Sequence, residues 1–106
     1  MLTNKQRYSI PDTHPCFAGH FSGNPIVPGV IILNYAQQQL LNSLPACHIK
    51  GLPQAKFLHT LKPNESFTIS LQQHSITNVK FTCSKGEQLL ATGSFIIEAI
   101  TGLSHE

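Results

Sequence analysis

Apolar positions along this chain fall into two regimes, one with a helical period and one that alternates. From Gly29 to about Leu44 no proline interrupts, and Val30, Leu33, Leu40 and Leu44 recur at helical spacing. Pro28 suits the first position of such a helix, because its fixed φ fits the turn and its missing N–H would have been unpaired there anyway. Ile31, Ile32, Tyr35, Ala36 and Leu41 fill most of the remaining circumference, which predicts a helix to about Ser43 wrapped by protein. Leu44-Pro45 ends it, since the residue before a proline avoids helical geometry. Asn34, Gln38 and Asn42 interrupt the apolar background four residues apart and so share one narrow stripe. If buried, such amides need hydrogen-bond partners.

The alternating regime follows. Ala55, Phe57, His59 and Leu61 alternate with Lys56, Leu58 and Thr60, which points His59 inward as a satisfied core histidine. Beyond a turn at Pro63-Asn64-Glu65, Phe67, Ile69 and Leu71 alternate with Thr68, Ser70 and Gln72. Thr77, Val79, Phe81 and Cys83 form the next inward face, Ser84 to Glu87 a hairpin turn, and Ala91, Gly93, Phe95, Ile97 and Ala99 the last. Gly93 in mid-strand signals a bend or the close approach of other backbone. Ahead of the helix, Arg7 to Ile10 reads as a short strand and Thr13 to Val27 as a loop punctuated by Pro15, Gly19, Gly23 and Pro25. Ala46 to Pro53 is a connection or the start of a strand, and 101–106 a loose tail. One helix followed by four strands predicts an α+β fold.

A chain of 106 residues makes one domain, 1–106. Charged residues are 11% of it, well under the typical share of about 25%. That scarcity suggests surface covered by another subunit. A net charge of +2, without basic runs, gives no case for nucleic acid. Cys16, Cys47 and Cys83 lack metal-ligand spacing and read as free thiols in a reducing cytoplasm. Cys16 and Cys83 look like packing residues, not nucleophiles. Neither a signal peptide nor a membrane span is visible.

The loop before the helix carries the most specific pattern. His14-Pro15, Phe17, Gly19-His20-Phe21, Gly23, Pro25 and Pro28-Gly29-Val30 resemble the signature of the bacterial (3R)-hydroxyacyl-acyl-carrier-protein dehydratases. Ile49, Gly51-Leu52, Ala55-Lys56-Phe57, Leu61 and Pro63 resemble the segment that follows the helix in that family, and the likeness runs from Tyr8 to Ala99. The brevity of the chain is more similar to the compact dehydratase-like proteins of aryl-polyene biosynthesis. The resemblance implies a hotdog fold, in which an antiparallel sheet wraps a long central helix. It also implies a homodimer or higher oligomer, or a heterodimer with a homologue, in which each site takes its histidine from one protomer and its helix residue from the other.

Dehydration of a hydroxyacyl thioester needs a base for the proton next to the carbonyl and an acid for the departing hydroxyl. A donor must also hold the thioester oxygen as enolate charge develops. The resemblance assigns the base to His20 and the donor to the backbone N–H of Gly29. Phe21, Ile26, Val27 and Val30 would border the acyl chain, together with Gln38, which otherwise reads as fixing the helix against the loop. The family's acid lies fourteen positions after the histidine, and there the chain has Asn34. An amide can hold a hydroxyl or a water but cannot release a proton at neutral pH.

Three readings follow. The protein dehydrates acyl chains borne on the 4′-phosphopantetheine of an acyl carrier protein, at a rate reduced by Asn34; or it is a non-catalytic carrier-binding or partner subunit; or it is a thioesterase. None calls for a metal or an organic cofactor. His14 is expected to brace the loop. Lys50, Lys56 and Arg7 are ordinary solvated cations or, together, a mouth facing an acidic carrier.

Overall fold

The computed structural model describes residues 1–17 and 25–100. His20 and Phe21, and with them His105 of the tail, lie outside the described residues. Five strands and one long helix follow one another as β1 (Thr3–Ser9), a 3-10 turn (Pro15–Phe17), α1 (Gly29–Ser43), β2 (Cys47–Phe57), β3 (Ser66–Ser75), β4 (Asn78–Lys85) and β5 (Gln88–Ala99). All pairings are antiparallel and the sheet runs β1-β3-β4-β5-β2. This is the α+β hotdog architecture, with α1 lying on one face of the sheet.

The core is what the alternation demanded. Phe67, Ile69 and Leu71 from β3, Val79, Phe81 and Cys83 from β4, and Ala91, Phe95 and Ile97 from β5 are buried against Ile32, Ala36 and Leu40 of the helix. Phe81 and Phe95 stack with ring centroids 5.2 Å apart. The register matches the pattern, pairing Leu71 with Phe81 and Val79 with Phe95. Gly93 stands where other backbone does come close. A Cβ there would lie 2.6 Å from the Gln54 carbonyl oxygen and 2.6 Å from the Phe81 ring. The β4–β5 turn uses Gly86 at φ +60°, a conformation that costs glycine nothing.

Several expectations change. Pro28 is the N-cap, with extended ψ of 142°, and Gly29 is the first helical residue. The described chain does not wrap α1 on all sides: Val30, Asn34, Gln38 and Asn42 form an exposed row along it, Val30 being 59% exposed. β1 begins at Thr3, not Arg7. Thr3 to Gln6 carry no apolar alternation, yet they pair fully with β3. β2 ends at Phe57, where the N–H groups of Leu58 and His59 both turn to the Leu90 carbonyl. The expected alternation therefore stops short, and His59 is exposed instead of buried. Ala55 and Phe57, on the edge strand β2, are exposed too. Thr77 lies in the β3–β4 turn and Ala99 at the last residue of β5, both exposed. Leu90 is buried where β5 slips register between its pairings at Leu89 and Ala91.

Candidate functional site

Two clefts flank the helix. The first opens at its start, and Ile26, Val27, Gly29, Ile32, Phe57, His59, Thr60 and Leu61 line a space of about 320 Å³. Val27 is anchored there by its N–H to the Leu61 carbonyl (2.7 Å). A Cβ on Gly29 would sit 2.8 Å from the far end of the half-exposed Phe57 ring, which would have to swing aside. Among the described residues no side chain caps the first turn, although the Pro28 carbonyl accepts from the Ile31 N–H at 3.0 Å. The helix therefore begins with N–H groups and a partial positive charge facing an apolar cleft, a setting that suits a ligand oxygen.

The second cleft runs beside the middle of the helix, about 300 Å³ between α1 and β1, lined by Gln6, Tyr8, Asn34, Tyr35, Gln38, Gln39 and Asn42. Asn34 is exposed in it, and Gln38, also exposed, donates to the Asn42 side chain (3.1 Å). The buried amide is its neighbour. Gln39, 2% exposed, accepts from the Tyr8 hydroxyl (2.8 Å) and donates to the Asn4 side chain (2.8 Å) and the Ile69 carbonyl (3.1 Å). Asn4 donates to the Ser43 hydroxyl, which donates to the Gln39 carbonyl. Tyr8, Tyr35 and Phe67 pack with centroids 5.0 to 6.0 Å apart. Burial, with Tyr35 alongside, raises the Tyr8 phenol above its ordinary value and keeps it a donor.

Gly29, Ile26 and Val27 thus converge on one cleft, and Asn34 and Gln38 on the other. Val30 stands exposed on the outward row of the helix that also carries Asn34. Sequence reasoning missed His59 as a lining residue, because the strand was drawn four residues too long. It also missed Gln39, although positions 32, 36, 39, 40 and 43 trace the stripe a packed helix turns inward. No carboxylate lines either cleft among the described residues.

The remaining candidates sort clearly. His14 braces the loop, its Nδ1 accepting from the Cys16 N–H at 2.9 Å. Burial pushes the Cys83 thiol up to about 12 and raises those of Cys16 and Cys47, so none is an activated nucleophile. Lys50 lies 3.6 Å from Glu98, which His48 also holds at 2.8 Å. Arg7 and Lys56 sit on strands at opposite edges of the sheet and share no mouth. No helix among the described residues is long and apolar enough to cross a membrane.

Residues 3–94 match the family described as ApeI-like, ApeI dehydratase. Over 97 residues the chain is 31% identical to the 3-hydroxyacyl-(acyl-carrier-protein) dehydratase FabZ of Levilactobacillus brevis, covering 78% of this chain and 66% of that protein. It spans about half to two thirds of the length of such relatives, the share being 49% for the Haemophilus influenzae FabZ. Among solved structures, the dehydratase heterocomplex ApeI:P from Xenorhabdus doucetiae superposes with a TM-score of 0.76 at 18% identity, over 90% of this chain and 86% of that one. An uncharacterised protein from Erwinia carotovora subsp. atroseptica gives 0.81 at 19% identity, over 93% and 85%. Both likenesses are of fold.

Proposed function

We propose that this chain, which belongs to the ApeI-like dehydratase family, removes water from (3R)-hydroxyacyl thioesters carried on the 4′-phosphopantetheine of an acyl carrier protein, giving trans-2-enoyl thioesters. The observation that carries this reading is the apolar cleft that opens on the helix start at Gly29, where no side chain among the described residues caps the first turn. In it the Gly29 N–H donates to the thioester oxygen as negative charge develops there. His20 takes the proton from the carbon next to the carbonyl. Phe21, Ile26, Val27, Val30 and Gln38 border the acyl chain. Asn34 holds the departing hydroxyl or a water that protonates it.

Asn34 and Val30 lie on the exposed row of α1, so a second protomer laid along that row completes the site. The chain then works as a homodimer, a higher oligomer or a pair with a homologue. Free thiols fit a reducing compartment, the cytoplasm.

A second reading has its own support. Neither cleft holds a carboxylate among the described residues, and an amide supplies no proton. On that reading the chain is the idle member of a heterodimer. Turnover of a (3R)-hydroxyacyl carrier-protein substrate separates the two. Enoyl product from the wild type, falling about 10²–10⁴-fold in His20→Ala, supports the enzyme. An inert wild type that gains activity in Asn34→Glu supports the idle partner. Release of free acid would instead make the chain a thioesterase.

A further inference from the structure

On the face of the sheet turned away from α1, two rows of residues are polar from β3 to β2, with Ile96 beyond them along β5. The register lays Gln72, Lys80, Ser94 and Gln54 in one row across β3, β4, β5 and β2, and Ser70, Thr82, Thr92 and Lys56 in the next. Lys80 and Lys56 therefore stand diagonally on either side of β5, over the short side chains of Thr92 and Ser94. Two strand spacings and a two-residue step set their Cα atoms about 12 Å apart, a span that two long side chains can bridge onto one ligand. Between them lies a groove of about 330 Å³, with His74 and Gln54 at its rim and the backbone of Gly93 in its floor. β2 helps to open it, because its register to β5 shifts between Gly51 and Gln54.

The charge of this groove is unbalanced. Neither Lys56 nor Lys80 has a carboxylate within ion-pair reach among the described residues, whereas Lys85 holds Glu65 at 3.0 Å and Lys50 stands 3.6 Å from Glu98. Glu98, on the same face, is four residues along β5 from Ser94. At the rise of a strand that is about 13 Å, beyond the screening length of physiological salt. It is also already engaged by His48 and Lys50. Two exposed cations on either side of the Ser94 hydroxyl, with no counter-charge, make a setting for a compact anion. A second copy of this face would bring more lysines and is disfavoured.

We infer that this groove binds the phosphoryl group of a small phosphorylated molecule, with Lys56 and Lys80 as its charge partners and Ser94 as hydroxyl donor, the Thr92 hydroxyl being already given to the Phe81 carbonyl at 3.1 Å. The site is separate from both clefts beside the helix and stands whatever reaction they perform.

The test is a titration of the full chain with inorganic phosphate and, separately, glycerol 3-phosphate at constant ionic strength, read from amide NMR spectra. Saturable shifts clustered on residues 54, 56, 80 and 92–94 are expected. In the double variant Lys56→Gln/Lys80→Gln, whose lysines are both exposed, the midpoint should rise on the order of tenfold. Lys5→Gln, on the same face but at the far edge strand, should leave it unchanged. Equal midpoints for the two probes would assign recognition to the phosphoryl group alone, and a lower one for the ester would extend it to the organic part. Shifts that do not saturate, a double variant that binds as the wild type does, or a Lys5→Gln loss as large as the double variant's would overturn the proposal.

Discussion

The two flanks of α1 are built on opposite plans. On the β1 side, side-chain hydrogen bonds stitch helix to strand through Asn4, Tyr8, Gln39 and Ser43, and every member of the network has a partner. On the β2 side the helix start meets, among the described residues, Phe57 and the segment to Leu61 around an apolar cleft. Gln38 and Gln39 compress the same contrast into one step of the chain, one solvated and the other sealed. A polar residue in this helix is thus a fastening where it meets β1 and a surface group a quarter-turn away. Each flank carries a cleft, lined by amide and tyrosine side chains beside β1 and by apolar ones at the helix start.

Gln39→Leu should break the stitched flank most severely. It strands the Tyr8 hydroxyl, the Asn4 amide and the Ile69 carbonyl, and the loss should be about 3 kcal/mol in urea denaturation. Gly93→Ala attacks the sheet beneath the open flank, forcing a methyl against the Gln54 carbonyl and the Phe81 ring. About 2 kcal/mol is expected, read the same way. An acid titration sharpens the picture at the sheet's far end. There the Lys62 backbone N–H and Lys85 lower the Glu65 carboxyl below its ordinary value. Its contribution is present above the unfolded-state value and is lost as pH falls through the lowered folded one. Glu65→Gln should therefore flatten the acid side of the stability–pH curve and leave the neutral side nearly level. Gln38→Ala should be the mildest, within about 0.5 kcal/mol. A cost for it near that of Gln39→Leu would erase the distinction between the flanks.

Much of this was legible in the sequence. Pro45 marks the end of α1 because of what proline forbids, and Phe67, Ile69, Leu71, Val79, Phe81 and Cys83 declare their burial by period alone. Gly93 announced a close approach, and one is there. The first half of β1 was illegible for a physical reason. Its inward residues, Asn4 and Gln6, are amides that meet a helix, so the strand shows no hydrophobic alternation to read. His59 misled in the opposite direction, since an alternating pattern outlasted the ladder that gives alternation its meaning. Within the site, Gly29, Ile26 and Val27 were joined by a local motif and do share one cleft. The buried state of Gln39 depends on a strand thirty residues away, and the exposure of Asn34 on what covers the helix. Neither is a local property of the chain.

Pro53 lies within β2, an outer strand of the sheet, in the stretch where its pairing to β5 is broken between Gly51 and Gln54. It offers no N–H to any strand laid against that margin. An incoming strand could zip along Gln54 to Phe57 and would then lose its ladder. A proline at an open margin is one of the devices that keep sheet edges from pairing without limit.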